Sequence, residues 1–249
     1  MALMPQTGEA GPSQRLDLPR REEKRTHVRA MFDRIAPRYD AMNRLLTARL
    51  DQRWRRAALE AVGAGRGDRV LDLACGTGDL AELAAARGAQ AIGVDFARQM
   101  LRGARRRGIP ALWIQGDAVA LPLPDACATV VTCGFALRNF VSLPEVLGEI
   151  ARVLEAGGRL ALIEVDRPSL AVVRAAHSLY FDRVVPLVGG WLSDRAAYAY
   201  LPRSTAYLPA TRELTALIAD AGFQRVQHRP LLLGSAQIMT AVRAGRGAS

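Results

Sequence analysis

The sequence predicts an α/β domain built on a doubly wound, mostly parallel seven-stranded sheet, preceded by helices and interrupted late by a helical lid insertion. Three observations predict it. Between Arg69 and Glu164, short runs rich in Val, Leu and Ile alternate with helical stretches, the pattern of a parallel sheet covered on both faces. The turn Gly76-Thr77-Gly78 follows the first run and opens the first helix, where such sheets take their ligands. The last two runs, Arg225 to His228 and Gln237 to Val242, are close enough to finish the sheet as a hairpin.

The elements follow in order. Residues 1–19 carry Pro, Gly and Ser without pattern and read as a flexible tail; a single domain occupies 20–249. From Arg20 to Val62, Val28, Met31, Phe32 and Ile35 recur at helical spacing, Pro37 breaks the run and Leu45 resumes it, giving two or three amphipathic helices. Strands are expected at Arg69 to Leu73, Ala91 to Asp95, Ala111 to Gln115, Ala128 to Cys133 and Arg159 to Glu164. Helices are expected at Leu80 to Arg87, Met100 to Arg107, Leu143 to Leu154 and Thr211 to Ala221. Trp113, on the third strand, reads as core. Between Asp166 and Pro209 the alternation lapses into an apolar insertion carrying Tyr180, Phe181, Trp191, Tyr198, Tyr200 and Tyr207, where a lid or substrate region belongs. Within it Val172, Val173, Ala176, Leu179, Tyr180 and Val184 make a helical stripe broken by Arg174 and Arg183. That stripe is either a core-facing helix or the greasy mouth of a site.

Composition bounds the class. With 249 residues, 50% hydrophobic and 6% aromatic, the chain can bury one sizeable core and is too apolar for a disordered segment. No apolar run reaches the roughly 18 residues of a membrane span, and the N-terminus lacks the apolar block of an export signal, so a cytoplasmic address is expected. Cys75, Cys127 and Cys133 are odd in number and lack C-x-x-C spacing, so neither disulfides nor a metal site is expected. The net charge of +10 rests almost wholly on arginine, since Lys24 is the only lysine. Such a balance favours anionic partners, nucleic acid or an anionic bilayer face.

The chemistry concentrates at strand ends. Asp72 closes the first strand, Gly76 and Gly78 let backbone approach a ligand, Thr77 lies between them, and the helix that follows offers free N–H groups. Asp95-Phe96 ends the second strand seventeen positions after Gly78, right for a carboxylate that accepts from a ribose diol. A carboxylate at Asp72 would repel a pyrophosphate and would suit an ammonium group. That favours S-adenosylmethionine, which has an amino acid, a sulfonium and an adenosine but no phosphate. Asp117 and Ala118, after the third strand, stand where an adenine amino group could be read, and Gly134 ends the fourth strand beside them.

Asp72 to Asp79 resembles the first motif of class I methyltransferases, and its surroundings resemble the ubiquinone/menaquinone biosynthesis C-methyltransferases. The resemblance rests on Met31 to Asn43 with its Tyr39-Asp40 pair, Ala118 to Asp125, Phe135-Ala-Leu-Arg138-Asn139, Glu164-x-x-Arg167-Pro168 and Tyr198 to Pro209, and it covers roughly Val28 to Phe223. Three positions depart from the family pattern. Ala136 stands where glycine is usual, Glu164-Val-Asp follows a different pattern, and Met239 replaces a terminal histidine.

The resemblance implies a Rossmann-like fold, S-adenosylmethionine as cofactor and carbon methylation of a prenylated quinol, most naturally demethylmenaquinol or the equivalent benzoquinol. Such a reaction needs the ring hydroxyl deprotonated and the ring carbon brought to the methyl, with no covalent attack by a side chain. Arg138 and Asn139 are the expected catalytic pair, the guanidinium stabilising phenolate charge and holding a water, with Tyr39 facing them across the pocket. Arg138 could instead pair with a carboxylate to hold a loop, and Tyr39 could be packing. His177 is the one histidine placed as an alternative base. The expected partners are the quinol, a bilayer touched peripherally at its cytoplasmic face with help from the basic helix Arg20 to Arg34, and a homodimer mate, with no nucleic acid. A nucleic-acid methyltransferase is disfavoured because neither an Asn/Asp-Pro-Pro-aromatic loop nor a Pro-Cys nucleophile is present. A tail-less aromatic acceptor and a silent quinone-binding subunit remain as rivals.

Overall fold

The computed structural model describes residues 21–245, except 167, 169, 181, 182, 184, 186, 188–193, 195, 196, 198, 199, 201 and 202, and except the side chains of 21, 22, 176 and 177. The expected tail, Phe181, Val184, Trp191, Tyr198, and the side chains of Ala176 and His177 lie outside the described residues.

Three helices, α1 (Arg21–Ile35), α2 (Tyr39–Leu46) and α3 (Leu50–Ala61), precede the sheet. There follow β1 (Arg69–Leu73), α4 (Asp79–Ala86), β2 (Gln90–Asp95), α5 (Arg98–Arg106), β3 (Ala111–Gln115), β4 (Ala128–Gly134), α6 (Leu143–Val153), β5 (Leu154–Val165) and α7 (Ala171–Leu179). The chain closes with α8 (Thr211–Asp220), β6 (Phe223–Leu231) and β7 (Ala236–Arg243). Local chemistry sets several boundaries. The Ser142 hydroxyl accepts from the Glu145 N–H at 3.4 Å and caps α6, with a proline in the helix's first turn, where a missing N–H is harmless.

The sheet has seven strands in the order β3-β2-β1-β4-β5-β7-β6. The first five pair parallel, and β7 runs antiparallel to both β5 and β6. The doubly wound reading therefore holds, hairpin included. Strand residues alternate between two cores. Leu71, Val131, Leu160 and Met239 face α6 and α8, whereas Val70, Val130, Ala161 and Ile238 face α3 and α4. Burial on both faces explains why these strands read as continuous apolar runs. A third cluster, with Val28, Met31, Met42 and Met100, docks α1 and α2 on α5.

Two expectations change. Trp113 is half-buried rather than core, because β3 is the edge strand and the indole lies across the glycines of its neighbours. The stripe on α7 does not face the core as a unit: Val172 is 84% and Leu179 57% exposed, while Val173 and Tyr180 turn into a cavity. Part of the basic character of α1 is tied up in contacts with the rest of the fold, while Arg29 stays exposed. Lys24 is buried, donating to the Phe140 carbonyl at 2.7 Å, and Arg25 pairs with Asp117 at 2.6 Å.

Candidate active site

The order of β1 and β4 creates a crevice at the carboxyl ends of the strands, because the connections leave these neighbours in opposite directions. The turn after β1 bends sharply there, with Ala74, Gly76 and Gly78 all at positive φ. Gly78 has two reasons to lack a side chain: φ is +89°, and a Cβ would stand 2.4 Å from the Trp113 ring. Gly76 is the glycine that faces the cleft, where its bare backbone leaves the floor open.

A narrow cleft of about 140 Å³ gathers most of the expected cofactor residues: Gly76, Asp95, Phe96, Asp117, Ala118 and Gly134, together with Tyr39 and Asn139. Asp95 is held by the N–H groups of Gly76 and Ala97, both at 2.8 Å, which leaves outward lone pairs for a diol. Burial pushes its carboxyl up to about 6 despite those bonds. Asp117 accepts from the Val119 N–H at 3.2 Å and carries the Arg25 ion pair, so α1 is strapped across the cleft at that point.

Asp72, Thr77 and Gly78 sit behind the wall. Asp72 is 1% exposed, accepting from the Ala81 N–H and the Thr132 hydroxyl, each at 3.2 Å. Its carboxylate therefore ties the start of α4 to β4 rather than facing the ligand space as expected, and burial lifts its pKa to about 7. Thr77 donates to Asp40 of α2, and Arg107 bonds the Thr77 carbonyl at 2.9 Å and Asp79 at 2.7 Å. These contacts latch the N-terminal helices onto the glycine turn.

A second, larger cavity of about 520 Å³ adjoins the cleft. Its walls are mostly apolar, with Leu46, Leu50, Trp54, Val173, Tyr180 and Val185 among them, and Phe32, Tyr39 and Phe135 line both spaces. Phe135 carries φ +61°, an uncommon conformation for a bulky residue and a site of backbone strain. Sequence reasoning passed over Phe135 as a site residue, because nothing in its neighbours marks a left-handed phenylalanine. Ala136, next to it, has φ −117°, so the methyl that replaces the usual glycine sits without strain.

Arg138 lines the larger cavity and is also anchored. Its Nη1 pairs with Glu164, Nε donates to Ser204 Oγ at 3.1 Å, and both charged side chains are nearly buried, 9% and 1% exposed. The loop-holding reading is thus part of its structure, yet Nη2 makes no hydrogen bond among the described residues. Asn139 lines the cleft, its Oδ1 accepting from Tyr200 at 3.4 Å. Burial raises the Tyr39 phenol above its usual value, partly offset by the Arg55 guanidinium, and the side chain bonds Asn43. Met239, where a terminal histidine was expected, is buried in the core, paired across to Leu162, and lines neither space. His228 is exposed and 3.8 Å from Asp166, and Cys133 is buried among apolar groups that push its thiol well up.

A seven-stranded sheet in this strand order, with a cleft at its switch point, is the fold and site of an S-adenosylmethionine-dependent methyltransferase. More narrowly, the chain belongs to the ubiE/COQ5 methyltransferase family, whose sequence profile matches residues 20–243. It is 44% identical over 215 residues to the demethylmenaquinone methyltransferase of Thermus thermophilus, covering 84% of this chain and 97% of that protein. It is 38% identical over 223 residues to the ubiquinone/menaquinone biosynthesis C-methyltransferase UbiE of Syntrophotalea carbinolica, covering 87% and 94%. An S-adenosylmethionine-dependent methyltransferase structure from Thermotoga maritima shares the fold, with TM-score 0.62 and 21% identity over 87% of this chain and all of that one.

Proposed function

We propose that this chain transfers a methyl group from S-adenosylmethionine to a ring carbon of a prenylated quinol, converting demethylmenaquinol to menaquinol. One observation carries the reading: an apolar cavity, large enough for a ring and the start of its tail, shares Phe32, Tyr39 and Phe135 with the cofactor cleft. The names of the relatives support the acceptor class.

The residues fit the cofactor. Asp95 would accept from the ribose hydroxyls, Phe96 and Ala118 would flank the adenine, and Asp117 would receive its amino group. The bare backbone at Gly76 and Gly134 leaves room for the amino-acid portion. S-adenosylmethionine supplies an electrophilic methyl on a sulfonium. Across the shared wall, the chain must make a quinol carbon nucleophilic. Arg138, fixed by Glu164 and Ser204 at the wall of the larger cavity, would offer Nη2 to the ring oxygen and stabilise phenolate charge in an apolar space, where such stabilisation is strongest. A guanidinium has donors and no acceptor, so a water beside it takes the hydroxyl proton. Burial keeps Tyr39 protonated, so its phenol is a donor to the same oxygen. Asn139 holds the turn between cleft and cavity. As the ring carbon takes the methyl, the sulfur–methyl bond would break with its electron pair left on sulfur, and loss of the ring proton to solvent would then restore aromaticity.

Leu45, Leu232 and Leu233 line the larger cavity and are 57%, 53% and 68% exposed, so they mark its mouth. A long isoprenoid tail would leave there toward a bilayer met peripherally. Among the described residues no helix is long and apolar enough to cross a membrane.

Incubation with methyl-labelled S-adenosylmethionine and chemically reduced demethylmenaquinol carrying a short prenyl tail tests the reaction. The expected product is labelled menaquinol. Label on a benzoquinol alone would move the substrate within the family. Cofactor binding with transfer to neither quinol, but transfer to a tail-less aromatic, would overturn the proposal.

A further inference from the structure

The turn between α2 and α3 presents two different faces. One lines the larger cavity with Leu45, Ala48 and Leu50. The other opens into a surface basin of about 620 Å³ lined by Arg44, Arg49, Arg53, Arg56 and Arg107, with Glu82 its only acid. Arg49, Arg53 and Arg56 fall at i, i+4 and i+7 and so share one face of the helix start. Arg44 and Arg107 are committed to Asp79. Arg49, Arg53 and Arg56 are exposed and make no ion pair among the described residues.

The cavity mouth has an unusual backbone on both sides. Ala48 and Arg49 lie at φ +48° and +63°, and Leu232 and Leu233, in the connection between β6 and β7, at +42° and +55°. Left-handed leucines are strained, and here they stand outward at 53% and 68% exposure. Ala48 of the cavity wall and Arg49 of the basin are consecutive, so the turn joins the apolar mouth to guanidinium groups that make no ion pair among the described residues: apolar groups for the acyl boundary, planar donor forks for phosphate oxygens.

We propose that this arginine basin binds the phosphates of anionic phospholipids and, with the leucine rim, seats the mouth of the quinol cavity on the bilayer. The inference rests on the quinol reading for its purpose, but not for its physics. Charge complementarity selects the occupant. Three arginines with no ion pair among the described residues, in a net-positive basin, match a negatively charged headgroup surface, and the exposed leucines of the cavity mouth match the hydrocarbon beneath it, which neither soluble phosphate nor a polynucleotide offers.

The test is co-sedimentation of the full chain with vesicles of phosphatidylcholine alone and of phosphatidylcholine mixed with phosphatidylglycerol. Wild type is expected to bind the anionic vesicles selectively, more weakly as salt rises. Arg49→Glu/Arg53→Glu/Arg56→Glu is expected to lose at least about 100-fold in partitioning, since loss of three basic residues at about one kcal/mol each accounts for that much before the added carboxylates repel the surface. Arg49→Lys/Arg53→Lys/Arg56→Lys, which keeps charge but not the fork, should fall between them. Turnover on a soluble short-tailed quinol should be unchanged in both variants and turnover on a vesicle-borne long-tailed quinol should drop in the first. If the glutamate variant melts early, the corresponding glutamine variant takes its place. Equal binding to neutral vesicles, undiminished binding by the charge-reversed variant, or equal competition by inorganic phosphate would each overturn the inference. Loss of turnover on the soluble quinol in wild type would instead count against the quinol reading, leaving the vesicle result to stand by itself.

Discussion

Replacing Glu164 by Gln keeps the shape of the side chain and removes the charge that faces Arg138. Both groups are almost free of solvent, so the guanidinium is left in the interior with only Ser204 and an amide for company. Breaking a buried pair from one side costs about 3–5 kcal/mol. In a domain of this size about 1 kcal/mol moves the melting temperature by about 2–4 °C, so the expected drop is about 6–20 °C. The double variant Arg138→Met/Glu164→Leu replaces the pair with apolar groups of similar bulk and should regain most of that loss. If Arg138 also stabilises the phenolate, the stable double variant stays inactive on quinol while its cofactor affinity is unchanged. Thermal melts, calorimetric cofactor titration and labelled-methyl turnover read the three quantities separately. A melting temperature unmoved by Glu164→Gln would refute the buried pair, and a double variant with wild-type turnover would reduce Arg138 to a loop anchor.

Other predictions follow from the cleft. Asp95→Asn should weaken cofactor binding about 10- to 150-fold, the worth of about 1.5–3 kcal/mol for hydrogen bonds to a charged group, and should also lower the melting temperature, because its NH2 replaces the acceptor of one of the two N–H groups, so binding is titrated below the melt. Asp72 and Asp95 have folded pKa values of about 7 and about 6, both raised from 3.8. Their contribution to the stability of the cofactor-free chain is therefore full below pH 3.8 and lost as pH rises through about 6–7. A cationic cofactor favours the ionised forms, so the thermal shift it produces should grow from about pH 5 to about pH 8. A shift that shrinks over that range would contradict the electrostatic assignment. Gly78→Ala drives a Cβ into the Trp113 ring at positive φ and should cost about 1–3 kcal/mol, partly restored by Trp113→Leu in a double-variant melt. Val173→Trp, which narrows the larger cavity, should raise the quinol KM several-fold and leave cofactor affinity intact.

The central strands were legible because burial on both faces writes itself as an apolar run, and β1 and β3 begin and end where the pattern places them. What depends on strand order was not legible. Trp113 looks like core until β3 proves to be an edge, and only then does its ring have room to lie over Gly78 and Gly93. Most of the residues that strand ends and glycines mark out for a cofactor line one cleft, since backbone approach and a strand-end carboxylate leave local marks. Asp72 was located correctly, but its side-chain direction depends on the neighbouring Thr132 and on the N–H of Ala81, which no local pattern reveals. The Arg138–Glu164 pair spans adjacent parallel strands whose register sets Gly134 beside Ile163. Two charged residues just past the ends of neighbouring apolar runs were the available signal. The left-handed Phe135 carried none.

The most direct test of the two-space arrangement is a crystal structure of this chain with S-adenosylhomocysteine and short-tailed demethylmenaquinone. The account predicts the nucleoside in the narrow cleft with its ribose on Asp95, and the quinone ring in the larger cavity against Tyr39 and Phe135. The ring oxygen should lie within hydrogen-bonding reach of Arg138, and the tail should point out past Leu45 and Leu233. A quinone ring bound outside that cavity, or separated from the cleft by an intact wall, would contradict it.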